Sequence, residues 1–252
     1  MLDKYVCEVV DKEQLADGIF SISVYCADMA KSACPGQFLH IKCGDEHLLR
    51  RPISICSVNG NVLDLVLEIK GGGTQWLSRV LPGDFLDVIG PVGNGFSIPE
   101  GRFIVVGGGI GVPPMLYVAQ LSAGRATALL GFRSINNILL KDEFDNVCER
   151  VIVTTDDGSF GVHGYLTVPL KELLVNGDYD AVLACGPTAM LSAVAQLCQL
   201  HQMPCQVSLE ERMGCGVGAC LVCACATMKD SNQEMSRICV DGPVFNASEV
   251  IW

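Results

Sequence analysis

Cys215, Cys220, Cys223, Cys225 and Cys239 crowd together late in the chain, and four of them stand at a spacing that does chemistry. Cys215, Cys220 and Cys223 follow C-x4-C-x2-C, and Cys239 comes after fifteen intervening residues. Thiolates at this plant-type spacing hold two tetrahedral irons as a [2Fe-2S] cluster. Gly214, Gly216 and Gly218 allow the positive φ and close backbone approach that wrapping inorganic sulfur requires. Amide N–H groups aimed at the cluster would tune its potential. A structural zinc also takes four thiolates, but zinc ligands usually come as two C-x2-4-C pairs, not three in one tight turn. Cys225 is read as a non-ligand, because a strand would aim it differently from Cys223.

Two further constellations suit phosphate-bearing ligands. Arg51-Pro52-Ile53-Ser54 offers a guanidinium fork for a pyrophosphate and a hydroxyl for a flavin ring or ribityl group. Alone, this run equally suits a surface arginine before a turn. Gly71-Gly72-Gly73-Thr74 at an expected helix start adds free N–H groups for a diphosphate. Later, Gly107-Gly108-Gly109-Ile110-Gly111-Val112-Pro113-Pro114 follows an apolar strand and opens a helix, the setting of a dinucleotide loop. It lacks the third glycine of G-x-G-x-x-G, which leaves Gly108, Gly109 and Gly111 to approach the ligand. Cys185-Gly186-Pro187 belongs to the same strand-to-helix edge, with Cys185 either beside a nicotinamide or simply a buried strand end. Asp156, Asp157 and Gly158 end another strand, as adenosine contacts or as an ordinary loop. Arg133 is the one basic residue near these turns, which favours NAD over NADP.

The elements that must carry these residues fall into two patterns. Residues 6–11, 18–26, 37–43, 63–69 and 84–90 read as short strands between Gly, Pro, Asn and Asp turns, with one helix over 71–81. Closely spaced strands of this kind predict a small closed sheet, a barrel. The run Gly90 to Phe96 marks its end. After Pro99, strands at 102–108, 126–132, 150–155 and 179–185 alternate with helices at 112–124, 137–144, around 168–175, and 187–200. Apolar strands alternating with helices predict a parallel sheet. The remaining cysteine-rich tail reads as irregular.

Composition narrows the function classes. Half of the residues are hydrophobic, 27 are glycine, and the formal charge of −11 disfavours nucleic acid or an anionic membrane as the main partner. No apolar run approaches the roughly 20 residues of a membrane span, and the N-terminus carries no signal-peptide pattern. A cytoplasmic protein is expected, in which the nine scattered cysteines among the fourteen are mostly small buried hydrophobes.

These motifs, in this order, resemble the ferredoxin reductase superfamily, and within it the electron-transfer subunits of dihydroorotate dehydrogenase B. The stretch from Glu210 to Cys220, with Asp241-Gly242-Pro243-Val244-Phe245, is the most specific part, and the likeness covers essentially the whole chain. It implies a two-domain, ferredoxin-reductase-like fold. Residues 1–98 would form an N-terminal antiparallel FAD-binding β-barrel, 99–203 an α/β parallel-sheet NAD-binding domain, and 204–252 a C-terminal [2Fe-2S] segment. Cys215, Cys220, Cys223 and Cys239 would ligate iron. FAD would contact Arg51, Pro52, Ile53, Ser54, the strand Val66-Leu67-Glu68, Gly73 and Thr74. The family often has an aromatic then a basic residue where Leu67-Glu68 stand, so the Glu68 side chain should point away from a diphosphate.

The resemblance implies that an FMN-containing catalytic subunit oxidises dihydroorotate during pyrimidine synthesis. Electrons then pass through the cluster and FAD to NAD, within a heterotetramer of two copies of each subunit. The small subunit of an NADPH–ferredoxin oxidoreductase or a sulfide dehydrogenase shares almost all these motifs. Because the cofactors carry the chemistry, no acid–base residue is required. His40, His47, His163 and His201 are read as structural or surface residues.

Overall fold

The computed structural model describes residues 3–252. Its first half contains β1 (Lys4–Ala16), β2 (Ile19–Tyr25), α1 (Ala27–Ser32), β3 (Phe38–Ile41), β4 (Arg51–Asn59), β5 (Val62–Glu68), α2 (Gly72–Leu77) and β6 (Phe85–Val92). The strands close into a barrel in the order β1-β2-β5-β4-β3-β6, every neighbour antiparallel. Alternation builds its interior: Phe20, Ile22 and Val24 of β2 meet Leu39 and Ile41 of β3 and Leu63 and Leu65 of β5. Tight hairpins at Gly18 (φ 69°) and Gly60 (φ 60°) use the left-handed region that glycine enters freely.

The barrel corrects the sequence reading twice. A second helix, α1, links β2 to β3, and β4 is a strand where the sequence suggested only an arginine beside one. Pro52 masks it. Residues Arg51–Ser54 pair with β3, whereas β5 joins β4 only from Ile55 onward, so the missing proline N–H falls where one strand edge is open.

The second half contains β7 (Phe103–Gly108), α3 (Val112–Gln120), β8 (Ala126–Phe132), α4 (Lys141–Val147), β9 (Arg150–Thr155), β10 (Val162–His163), α5 (Thr167–Asn176), β11 (Ala181–Cys185), α6 (Thr188–Leu200), β12 (Cys205–Ser208), β13 (Ala224–Lys229), β14 (Asn232–Arg237) and β15 (Val244–Asn246). The main sheet runs β10-β9-β8-β7-β11-β12-β15, parallel throughout except for β15. The helix expected over 137–144 resolves into a 3-10 turn at Ile135–Asn137 followed by α4. Nor is the tail merely irregular: β13 and β14 form a hairpin, while β12 and β15 extend the sheet. No helix among the described residues is long and apolar enough to cross a membrane.

Barrel and sheet share a core. Helix α3 is buried from Val112 to Ala119, and Ile19, Cys56, Val66 and Phe96 of the barrel half join its Val112, Met115 and Leu116 in one apolar cluster. The Tyr117 hydroxyl donates to the Ala33 carbonyl across the boundary at 3.0 Å. The tail is fastened at the barrel exit, where the Asn94 amide donates to Val240 O and Asp241 O, both at 3.1 Å. Beside it, Gly93 has φ 84°, and a Cβ there would lie 2.5 Å from Pro243 Cδ. Gly93→Ala therefore strains this junction by about 1–2 kcal/mol from the backbone alone. Hydrogen exchange should show faster opening of residues 209–246, with β2 and β5 unchanged.

Candidate cofactor sites

The cysteine turn is a compact arrangement of sulfurs and amides. The Cys215 sulfur accepts N–H groups from Val217 at 3.4 Å and Ala219 at 3.3 Å, and the Cys220 sulfur accepts Cys215 N–H at 3.3 Å. Burial pushes the Cys215 thiol up, but the surrounding N–H groups of Val217, Cys220 and Ala219, with the Cys220 thiol, outweigh it and bring it down to about 6. Cys223 and Cys239 are buried with their sulfurs 3.4 Å apart. Burial and the adjacent Cys223 thiol push Cys239 up to about 12.

Among the described residues, no three or more His, Cys, Asp or Glu side chains converge as the ligands of one ion. The four thiols instead form two pairs, Cys215 with Cys220 and Cys223 with Cys239, and the pairs are near enough for Cys215 to bear on Cys239. One tetrahedral zinc needs all four sulfurs about a single point, whereas two irons take two thiolates each. The donor set fits the two-iron group.

Backbone conformation refines the glycine argument. Gly216 and Gly218 take φ 70° and 80°, and the third left-handed residue of the turn is Leu221 at 60°. Gly214 has no positive φ. It serves by close approach, since a Cβ there would stand 3.0 Å from the Cys220 sulfur. The Arg237 Nη1 donates to Gly218 O at 3.2 Å, and its Nε pairs with Asp241 at 2.9 Å, which ties the turn to the chain after Cys239. Cys225 lies in β13, paired with Ser236 of β14.

On the barrel, Arg51 and the glycine turn come together. A Cβ on Gly73 would fall 2.4 Å from Arg51 Nε, so the bare glycine lets the guanidinium lie against the start of α2. Neighbouring Arg50 is neutralised by Asp87 at 2.7 Å, while no carboxylate among the described residues pairs with Arg51. Its charge is free for an anion. Pro52, Ile53 and Ser54 follow it along the β4 edge that β5 leaves open. Thr74 closes the turn internally: its Oγ1 accepts Lys70 N–H at 2.9 Å and donates to Gly71 O at 3.1 Å. On β5, Val66 and Leu67 are buried, and Glu68 pairs with Lys70 at 3.4 Å.

The two turns of the parallel sheet interlock. Cys185 stands beside Gly107 in the ladder between β11 and β7. A Cβ on Gly111 would lie 2.5 Å from Cys185 O, and one on Gly108 would lie 3.2 Å from Pro187 Cδ and closer still to Met190. Gly186 has φ 157° and its missing Cβ faces Gly108 Cα at 3.2 Å. Gly109 (φ 53°) has open space around it. Burial pushes the Cys185 thiol up to about 12 against a bond to Ser208, so it is no nucleophile near neutrality. Asp157 accepts Ser159 Oγ–H at 2.6 Å, which holds its carboxyl below the usual range and closes a turn beyond β9.

Of the two settings expected for His40, structural or surface, the structure shows the first: it is fully buried on β3 against the cysteine turn, where a Cβ on Gly216 would lie 2.4 Å from its Nδ1. Burial, then Arg50 and Arg51, lower its pKa to about 4, so the ring is neutral.

A closed barrel, a parallel nucleotide-type sheet and a thiol turn together define a ferredoxin-reductase-like oxidoreductase with an iron–sulfur segment. Residues 210–251 match the iron-sulfur cluster binding domain of dihydroorotate dehydrogenase B. The electron transfer subunit of dihydroorotate dehydrogenase B (NAD(+)) from Caldanaerobacter subterraneus subsp. tengcongensis is 41% identical over 88% of this chain and 89% of its own. That of Streptococcus pneumoniae is 39% identical over 97% of both. A solved structure of an NADH-dependent reduced ferredoxin-NADP oxidoreductase superposes with TM-score 0.88 at 30% identity, covering 98% of this chain and 90% of that one. A ferredoxin reductase of carbazole 1,9a-dioxygenase, at 20% identity and TM-score 0.68 over 81% of this chain and 67% of that one, shares the fold. The chain belongs to the family of dihydroorotate dehydrogenase B electron-transfer subunits.

The lowered Cys215 thiol gives a test of the turn in metal-free protein. Iodoacetamide should label Cys215 before the other cysteines, its rate climbing through about pH 6, while Cys185 and Cys239 stay silent in that range. Peptide mapping of the labelled chain reads the order.

Proposed function

We propose that this chain is the electron-transfer subunit of an NAD-dependent dihydroorotate dehydrogenase. It would take electrons from an FMN-containing, dihydroorotate-oxidising subunit and deliver them through a [2Fe-2S] cluster and FAD to NAD+ in pyrimidine synthesis. One observation carries the reading. The cysteine turn rests on the outward face of β3, and the partner strand of β3 bears Arg51, so the metal and flavin positions share one strand pair. When bound, FAD exchanges a hydride with the nicotinamide and single electrons with the cluster.

The residues divide the remaining work. Cys215 and Cys220 hold one iron, Cys223 and Cys239 the other. Arg51, aided by Gly73 and the turn that Thr74 closes, neutralises the FAD diphosphate, while Pro52, Ile53 and Ser54 present the open β4 edge to the flavin. Val66 and Leu67 continue β5 beyond its pairing with β4 and would meet the flavin there, while Lys70 pairs with the Glu68 carboxylate. Gly108, Gly109 and Gly111, with Cys185, Gly186 and Pro187, form the NAD edge. Asp156 and Asp157 favour NAD over a 2′-phosphorylated nucleotide by charge. Residues 1–98, 99–203 and 204–252 are the FAD, NAD and cluster units, the last lending β12 and β15 to the sheet.

The partner covers the apolar rim of the turn, where Val217, Leu221 and Val222 are 45%, 64% and 53% exposed. Two copies of each subunit assemble as a heterotetramer. All fourteen cysteines are free, which suits the reducing cytoplasm.

Mixing the chain with the FMN-containing subunit should give dihydroorotate-dependent NAD+ reduction that neither shows alone, and Cys220→Ser should abolish it. NADPH-linked ferredoxin turnover without dihydroorotate activity would instead select an NADPH–ferredoxin oxidoreductase subunit. Leu221→Asp, whose side chain tolerates the left-handed backbone, should weaken partner binding about tenfold or more. Its iron and FAD contents should stay at the wild-type level, with binding read by titration calorimetry.

A further inference from the structure

Strand β3 has an inner and an outer face. Leu39 and Ile41 fill the barrel core, so Phe38 and His40 point outward. Outward residues of a barrel ordinarily meet solvent, yet Phe38 is 4% exposed and His40 0%. The tail covers both. Phe38 packs with Met213, Cys223, Ile238, Cys239 and Phe245. His40 packs under the Cys215–Gly216 turn, where only a glycine leaves room for the ring: a Cβ on residue 216 would meet Nδ1 at 2.4 Å, Cε1 at 2.9 Å and Cγ at 3.0 Å.

Neither ring nitrogen of His40 has a hydrogen-bond partner. A buried polar group without a partner is costly, and an apolar side chain of similar size would fill the same space without that cost. The backbone carbonyls of Arg50 and Cys215 lie near enough to favour a charged ring, but neither meets a ring nitrogen at hydrogen-bond geometry. His40 stands opposite Pro52 of β4 and Ile89 of β6, and its own carbonyl accepts Arg50 Nη1 at 3.2 Å. What remains on the ring's outer side is the sulfur-bearing turn. An imidazole has at least one N–H to give, and thiolate or sulfide is an acceptor for it. Hydrogen bonds to cluster sulfurs favour the reduced, more negative state and so raise the potential.

We propose that His40 is a positioning residue for the cluster, seating the Cys215–Gly216 turn on the strand pair that carries Arg51 and giving its N–H to the sulfur face of that turn. His40 thereby sets how electrons divide between cluster and flavin. This rests on the two-iron reading above, and the two are separable: iron and FAD per chain test that reading, while the cluster's midpoint potential tests His40.

The experiment is an EPR-monitored redox titration of the loaded complex with its partner subunit, comparing wild type, His40→Leu and His40→Gln. With iron and FAD at wild-type levels, His40→Leu should lower the cluster potential by about 59 mV, a tenfold change in a one-electron equilibrium. His40→Gln, which restores an N–H donor, should recover most of that shift. Equal potentials in wild type and His40→Leu would overturn the proposal. If His40→Leu fails to hold iron, His40→Gln decides. Retained iron near the wild-type potential supports the donor role, and loss of iron there too reduces the ring to a spacer and overturns it. A wild-type chain without two irons would sink the cluster reading itself.

Discussion

The outer face of β3 cannot be left to water. Phe38 is an apolar ring worth about 1.5–3 kcal/mol when buried, and the C-terminal segment packs over it through Met213, Cys223, Ile238, Cys239 and Phe245, with Val92 of β6 beside it. That burial brings Cys223 and Cys239 down onto the barrel, and the Cys215–Gly216 turn follows onto His40. The tail is pinned at three further points: β15 pairs with β12, Asn94 binds Val240 and Asp241, and Arg237 bridges Gly218 and Asp241. Packing and hydrogen bonds thus fix where the thiols stand. Preorganisation of this kind spares the ligands much of the ordering cost of binding.

A second constraint governs the nucleotide edge. The turns after β7 and β11 touch backbone to backbone at Gly111, where a Cβ would lie 2.5 Å from Cys185 O, while the Met190 side chain crowds Gly108 and Gly186. Gly111 is thus a packing requirement between two strand ends, and the exposed glycine of the loop is Gly109, with open space around it. Helix α3, which leaves the first turn, is buried between sheet and barrel, so the turn after β7 and the barrel strands are held through one element.

Much of this was legible in the residues. Cysteine spacing announced which thiols the tail brings near one another, alternation announced the barrel, and apolar strands between helices announced the parallel sheet. The misses have physical causes. Pro52 hid β4, because a proline inside a run argues against a strand unless one edge is open there. Strands β12 and β15 hold four and three residues, too short to show a period, and gain their identity only from the sheet beside them. His40 sits on an alternating strand whose outward positions read as solvent-facing. Its burial comes from a segment far along the chain, and nothing local signals such a contact. Of the two features expected of Gly214, positive φ and close approach, only the close approach is present.

The account stands on two pairs of thiols holding two irons against the barrel. Counting iron, zinc and acid-labile sulfide per chain in anaerobically purified protein addresses it most directly. Two irons and two sulfides per chain, with zinc absent and all four of Cys215, Cys220, Cys223 and Cys239 protected from alkylation until the metal is removed, is the expected result. One zinc per chain without sulfide, or full iron content with any of those four thiols still reactive, would contradict it.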